Sequence, residues 1–165
     1  MVIEQKLFKD IDISDVFFDS FKFEYPEFEN RFIKNHNEIA YVTSVGDKIG
    51  AFISLKIEGP DEDYNDIYPV LPPDKRLKIR SFKIDKPYRY LKDEIISEIV
   101  NTAFDNNIDT IYFTIFDRQP EHKKTIAFFE KIGFVYYGIK NRPVSCDFER
   151  MYIHPFGRRE FKSCE

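Results

Sequence analysis

The sequence predicts an α/β fold: a mixed, mostly antiparallel sheet of six to seven strands with helices on both faces. Three observations lead there. Two alternating apolar runs, Ile39 to Val45 and Lys48 to Glu58, flank Gly46-Asp47 and read as a β-hairpin. An apolar pattern at helical period, Leu91 to Phe104, separates two strand-like runs, Arg76 to Asp85 and Ile108 to Phe116. The full order is β-α-α-β-β-β-α-β-α-β-β, in which hairpins give antiparallel pairs and helix-linked strands give parallel ones.

Each element has a local reason. A short first strand falls somewhere in Met1 to Ile13. Ser14 is placed to cap a helix through Val16, Phe17, Phe18 and Phe21. Pro26 opens a second helix with Phe28, Phe32 and Ile33 on one side. Gly59 to Pro73 is acidic, holds four prolines and reads as a long loop of the kind found at functional sites. In the third strand Leu77, Ile79, Ser81 and Lys83 point one way, and Lys78, Arg80, Phe82 and Ile84 the other. Leu91, Ile95, Ile96, Ile99, Val100, Ala103 and Phe104 form the apolar face of the next helix, which Asn106-Asn107 ends. A last helix runs from Lys123 to Ile132, with Gly133 where a left-handed cap belongs. Phe134 to Ile139 and Glu149 to His154 are two more strands, joined by a turn holding Asn141, Pro143 and Asp147.

Composition limits the function classes. With 165 residues, 42% hydrophobic and 33% charged, the chain reads as one globular domain, 1–155, with a short tail, 156–165, carrying Arg158, Arg159 and Lys162. A net charge of −4 argues against nucleic acid as a partner of this domain. Cys146 and Cys164 have no CxxC spacing, so neither a disulfide framework nor a zinc finger is expected. The start lacks an apolar signal core and no apolar run nears a membrane span, which predicts a soluble, cytoplasmic protein. His36, His122 and His154 lack ligand spacing, so no metal site is expected. Cys146 has no neighbouring histidine to activate it, and Walker, Rossmann and GxSxG motifs do not occur.

The run Phe128-Phe129-Glu130-Lys131-Ile132-Gly133-Phe134, set near the end of this element order, resembles the GNAT superfamily of acyl-CoA-dependent N-acyltransferases. The strand Arg80 to Arg89 looks like that superfamily's fourth strand leading into its pyrophosphate loop. The segments Phe17 to Phe28 and Leu71 to Ile84 are similar to one GNAT subgroup. The resemblance covers about residues 10–154. It implies acetyl-CoA as donor and a small-molecule or protein amine as acceptor, which attacks the thioester carbonyl directly, with a homodimer compatible. The backbone of Phe82, Lys83 and Ile84 would run beside the pantetheine. Arg89, Tyr90, Leu91, Lys92 and Asp93 would form the phosphate loop and helix start, and His122 and Phe129 would complete the cofactor site.

Three departures stand out. The superfamily's loop glycines fall at Tyr90 and Lys92, which leaves Arg89 and Lys92 to supply charge. The tyrosine that protonates the leaving thiolate in many members falls at Phe129, which has no hydroxyl. The region that holds a glutamate base in some members reads Arg76-Leu77-Lys78-Ile79-Arg80 and is basic. Glu58, Asp61, Glu62, Asp63 and Asp66 lie where they could attract a cationic amine. No catalytic residue is assigned. His122 could bind a phosphate, cap its helix, or stand exposed in a polar segment. Two readings therefore remain: an N-acetyltransferase, or a GNAT-shaped binding or regulatory module without catalysis that takes CoA, a nucleotide or a protein.

Overall fold

The computed structural model describes residues 3–143 and 147–155. The expectations for Cys146, Cys164 and the tail lie outside them. The strands are β1 (Glu4–Leu7), β2 (Ile39–Val45), β3 (Lys48–Glu58), β4 (Ile67–Tyr68), β5 (Arg76–Ile84), β6 (Thr110–Ile115), β7 (Val135–Arg142) and β8 (Asp147–Pro155). The α-helices are α1 (Asp19–Glu24), α2 (Phe28–Lys34), α3 (Lys92–Asp105) and α4 (Pro120–Lys131). Hydrogen bonding orders the strands β1-β2-β3-β5-β6-β8-β7-β4. The β5/β6 pair is parallel, and β1/β2, β2/β3, β4/β7, β6/β8 and β7/β8 are antiparallel. The expected mixed α/β architecture is present with eight strands. The addition is β4, two residues inside the proline-rich loop, too short to show alternation. The chain divides into two compact units, 1–55 with 81–99 and 56–80 with 100–165.

The first unit has a phenylalanine core. Phe8, Phe17, Phe18, Phe32 and Phe52 are buried with Ala40 and Val42 from β2. Phe8 stacks on Phe32 at 4.4 Å, and Phe18 meets Phe52 edge-on at 5.1 Å. The helical hairpin differs from expectation at its start. Asp15, not Ser14, is the cap: its Oδ1 accepts from Phe17 N at 2.9 Å and its Oδ2 from Ile49 N at 3.1 Å. The Ser14 hydroxyl is diverted to Asp12 at 2.6 Å. A 3-10 turn, Val16–Phe18, precedes α1, and α2 begins at Phe28 rather than Pro26. Phe23 faces outward, 79% exposed. The β2/β3 hairpin forms as expected, with Gly46 at φ +58° in its turn.

The second unit packs α4 against one side of β6 and β8. Phe113 contacts Phe129 at 4.6 Å, Tyr152 at 5.4 Å and Phe134 at 5.5 Å. The other side carries Tyr112, Met151 and Ile153, covered by Ile67 and Leu71 of the 59–73 loop. The α4 helix opens at Pro120, three residues earlier than expected, because Gln119 and His122 form a reciprocal cap. It closes as the sequence indicates: Gly133 has φ +108°, and Phe134 N donates to Phe129 O at 3.0 Å. On α3, Leu91 just before the helix and Ile95, Ile99 and Ala103 within it are buried, but Phe104 in the last turn is 81% exposed.

Candidate functional site

The parallel β5/β6 ladder registers Leu77 with Ile111 and Lys78 with Tyr112, while β5 continues to Ile84 and β6 to Ile115. Alternation puts Arg76 and Lys78 on the same side as Tyr112, under the 59–73 loop. Glu58 ends β3 on this side and is buried. Its Oε1 accepts from the Tyr112 hydroxyl in a short hydrogen bond and from the Tyr64 hydroxyl at 3.0 Å. Lys56 Nζ lies 3.6 Å from Glu58 and 2.8 Å from Glu62. Burial, followed by the Glu58 charge, pushes the Tyr112 phenol far above its ordinary range, so it stays a donor. Burial also pushes Tyr64 up to about 12, with Arg76 opposing and Glu58 adding.

Four cations surround this network. Arg76 is buried, with Cζ 5.3 Å from the Tyr64 ring centroid and Nη2 donating to Pro72 O at 2.6 Å. Its Nε and Nη1 have no partner among the described residues. Lys78 is half-buried, with Nζ 5.9 Å from the Tyr112 ring centroid. Burial lowers its amine to about 8, the Lys140 charge adds to the drop, and Glu58 and Glu149 oppose it. Lys140 pairs with Asp66 at 3.5 Å, and Arg142 with Glu149 at 3.2 Å. The acidic loop is thus partly neutralised: Glu62 and Asp66 hold lysines, and Asp61 and Asp63 face solvent.

The residues singled out from the sequence fall in both units. Phe82, Lys83 and Ile84 form the half-buried end of β5 in the first unit. Lys83 Nζ donates to Phe17 O at 2.6 Å and Ser20 Oγ at 3.1 Å, so its charge is directed at the phenylalanine core. A 3-10 turn, Lys86–Leu91, replaces a glycine loop. Tyr88 N donates to Asp85 O at 2.9 Å, and Lys92 N donates to Arg89 O, so these N–H groups are used internally. Arg89, Tyr90 and Asp93 are exposed, Lys92 is half-buried, and Leu91 is buried. The turn is fastened to β3: Asp85 N donates to Gly50 O at 2.9 Å, and the Tyr88 ring occupies the space beside Gly50, 2.3 Å from where a Cβ would stand.

In the second unit His122 is buried, and its Nδ1 accepts from the backbone N–H groups of Arg118 and Gln119, each at 3.2 Å. Of the three roles open to it, the structure realises the helix cap. Phe129 is a buried core residue. Sequence reasoning gave Tyr112 no role and noted Lys78 only for its face of the strand and as part of a basic stretch. The available signal was a tyrosine and a lysine inside strands of otherwise apolar character. Among the described residues, no group of three or more His, Cys, Asp or Glu side chains is placed to hold a metal. No helix is long and apolar enough to cross a membrane.

No protein-family profile matches this chain, and no curated protein matches it in sequence. Solved structures do match in fold. The aminoglycoside 6'-acetyltransferase type Ii superimposes with a TM-score of 0.65 at 17% identity, over 97% of this chain and 100% of that one. An IAA acetyltransferase from Bacillus cereus ATCC 14579 gives 0.59 at 13% identity, over 93% and 98%. The NatC complex bound to Gag peptide and CoA gives 0.50 at 16% identity, over 94% and 99%. These structural neighbours are acetyltransferases, and this chain has a GNAT-like fold.

Proposed function

We propose that this protein is an acyl-CoA-dependent N-acyltransferase that moves an acetyl group from acetyl-CoA to a primary amine by direct attack. The observation that carries this reading is the GNAT-like fold, shared over nearly the whole chain with acetyltransferases. In this reading Phe82, Lys83 and Ile84 offer backbone groups to the pantetheine. The internally bonded 3-10 turn shifts phosphate recognition from backbone N–H groups to the side chains of Arg89 and Lys92. Attack forms the C–N bond and breaks the C–S bond. With no hydroxyl at position 129, the proton released by nitrogen goes to the thiolate or to solvent.

The same 3-10 turn favours a second reading, a GNAT-shaped module that binds without transferring. The experiment that separates them follows thiol release from acetyl-CoA across a panel of primary amines: amino acids, polyamines, aminoglycosides and peptide N-termini. The transferase reading expects release that depends on one acceptor class. Binding of CoA with no acceptor-dependent release would establish the module instead.

A further inference from the structure

We infer that the side of β5 beneath the 59–73 loop binds the carboxylate group of a small organic acid, with Arg76 and Lys78 as its cationic partners. The residues concerned all belong to the second unit, so the inference stands apart from the acyl-transfer reading. Two independent observations meet there. Arg76 is 2% exposed, yet its Nε and Nη1 have no hydrogen-bond partner among the described residues. Its remaining nitrogen, Nη2, donates to Pro72 O at 2.6 Å. The Tyr64 ring, 5.3 Å from Cζ, attracts the charge but does not replace the missing acceptors. Lys78 lies two residues on, about 7 Å along the strand and on the same side. It has no carboxylate at ion-pair distance among the described residues. Buried donors and half-buried ammonium groups normally have such partners.

Both cations lie against one pair of rings. Tyr64 and Tyr112 meet edge-on at 6.4 Å, and Lys78 Nζ is 5.9 Å from the Tyr112 centroid. The carboxylates nearby are already engaged. Glu58 accepts from both phenols and pairs with Lys56, which also holds Glu62. Asp66 holds Lys140, and Glu149 holds Arg142. Arg76 and Lys78 are left over. Because Glu58 and Glu62 share Lys56, the cluster carries one positive charge in excess. The Lys140 ammonium adds repulsion on Lys78. One carboxylate balances the excess, and its two oxygens can accept from a guanidinium and an ammonium together. A phosphate dianion would overcompensate beside the buried Glu58. The loop closes over Arg76, whereas Tyr64, Lys78 and Lys140 are half-buried, which sets the approach on the lysine side.

The test titrates sodium acetate into the whole chain, with sodium chloride holding the ionic strength fixed. Heteronuclear NMR follows the arginine Nε–H signals, that of Arg76 being assigned by through-bond correlation to its own backbone. Thermal melting is recorded in parallel. The expected result is a saturable shift of the Arg76 signal, larger than that of exposed arginines such as Arg31, and a melting temperature that rises with acetate above its value in chloride. Lys78→Met, neutral and of similar length, should bind acetate at least tenfold more weakly. The shift in the unmutated chain keeps the test independent of that variant. No shift at Arg76 in hundreds of millimolar acetate would overturn the inference. Acetate binding unchanged in Lys78→Met would overturn the pairing of the two cations. An equal response to chloride, or a stronger one to inorganic phosphate, would refute a carboxylate site.

Discussion

Replacing Lys78 by methionine should stabilise the protein, and the gain should depend on pH. The lysine amine falls from its usual 10.5 to about 8 in the fold, chiefly through burial. A drop of that size corresponds to about 3 kcal/mol, and the solvent-facing side of a half-buried chain reduces it to roughly 1–3 kcal/mol. The sign follows from proton binding. Between about pH 8 and 10.5 the unfolded chain holds more protons on this amine than the folded one, so the lysine's cost shrinks as pH rises through that window. Below pH 8 the cost is present in full. Methionine has similar length, no charge and no proton to lose. Urea unfolding of both proteins at pH 6, 7, 8, 9 and 10 measures the difference. The expected advantage of Lys78→Met is constant up to about pH 8 and then falls away. An advantage equal at pH 7 and pH 10, or a variant less stable than the parent at pH 7, would refute the electrostatic reasoning.

Glu58→Leu strands two phenolic hydroxyls, those of Tyr112 and Tyr64, and should cost about 2–5 kcal/mol. Thermal melting should fall by roughly 2–4 °C per kcal/mol in a chain of this size, whereas Glu58→Gln, which keeps an acceptor, should lose clearly less; equal losses would mean the hydroxyl bonds contribute little. Gly50→Ala places a Cβ 2.3 Å from the Tyr88 ring and should displace the 3-10 turn, costing about 1–3 kcal/mol and weakening acetyl-CoA binding at least tenfold. Melting and titration unchanged together would show that Tyr88 moves aside without effect.

Local signals in the sequence account for the elements that depend on local physics. The hairpin at Gly46-Asp47 needed only alternation and a turn residue with positive φ, and both are in the sequence. The end of α4 at Gly133 needed only a left-handed position after an apolar helix. Choosing Asp15 over Ser14 as cap required knowing that Asp15 also reaches Ile49 on β3. Such a contact lies 34 residues away in sequence. The same limit hid the Glu58 network. Periodicity correctly turned Lys78 away from the Leu77 side, and a polar residue on that side of a strand reads as solvent-facing. Folding the proline-rich loop over Tyr112, Met151 and Ile153 converts that side into a half-buried electrostatic site, and no pattern within β5 encodes that cover. The helix cap at His122 was one of three open roles because its partner atoms are backbone N–H groups, which every residue has.

The most direct test of the account is a calorimetric titration of the purified protein with acetyl-CoA and with CoA. Saturable binding in the micromolar range is expected for both, weakened by Arg89→Glu through loss of charge at the proposed phosphate site. No heat at millimolar ligand would contradict it, and would mean that this GNAT-like fold serves a purpose other than acyl transfer.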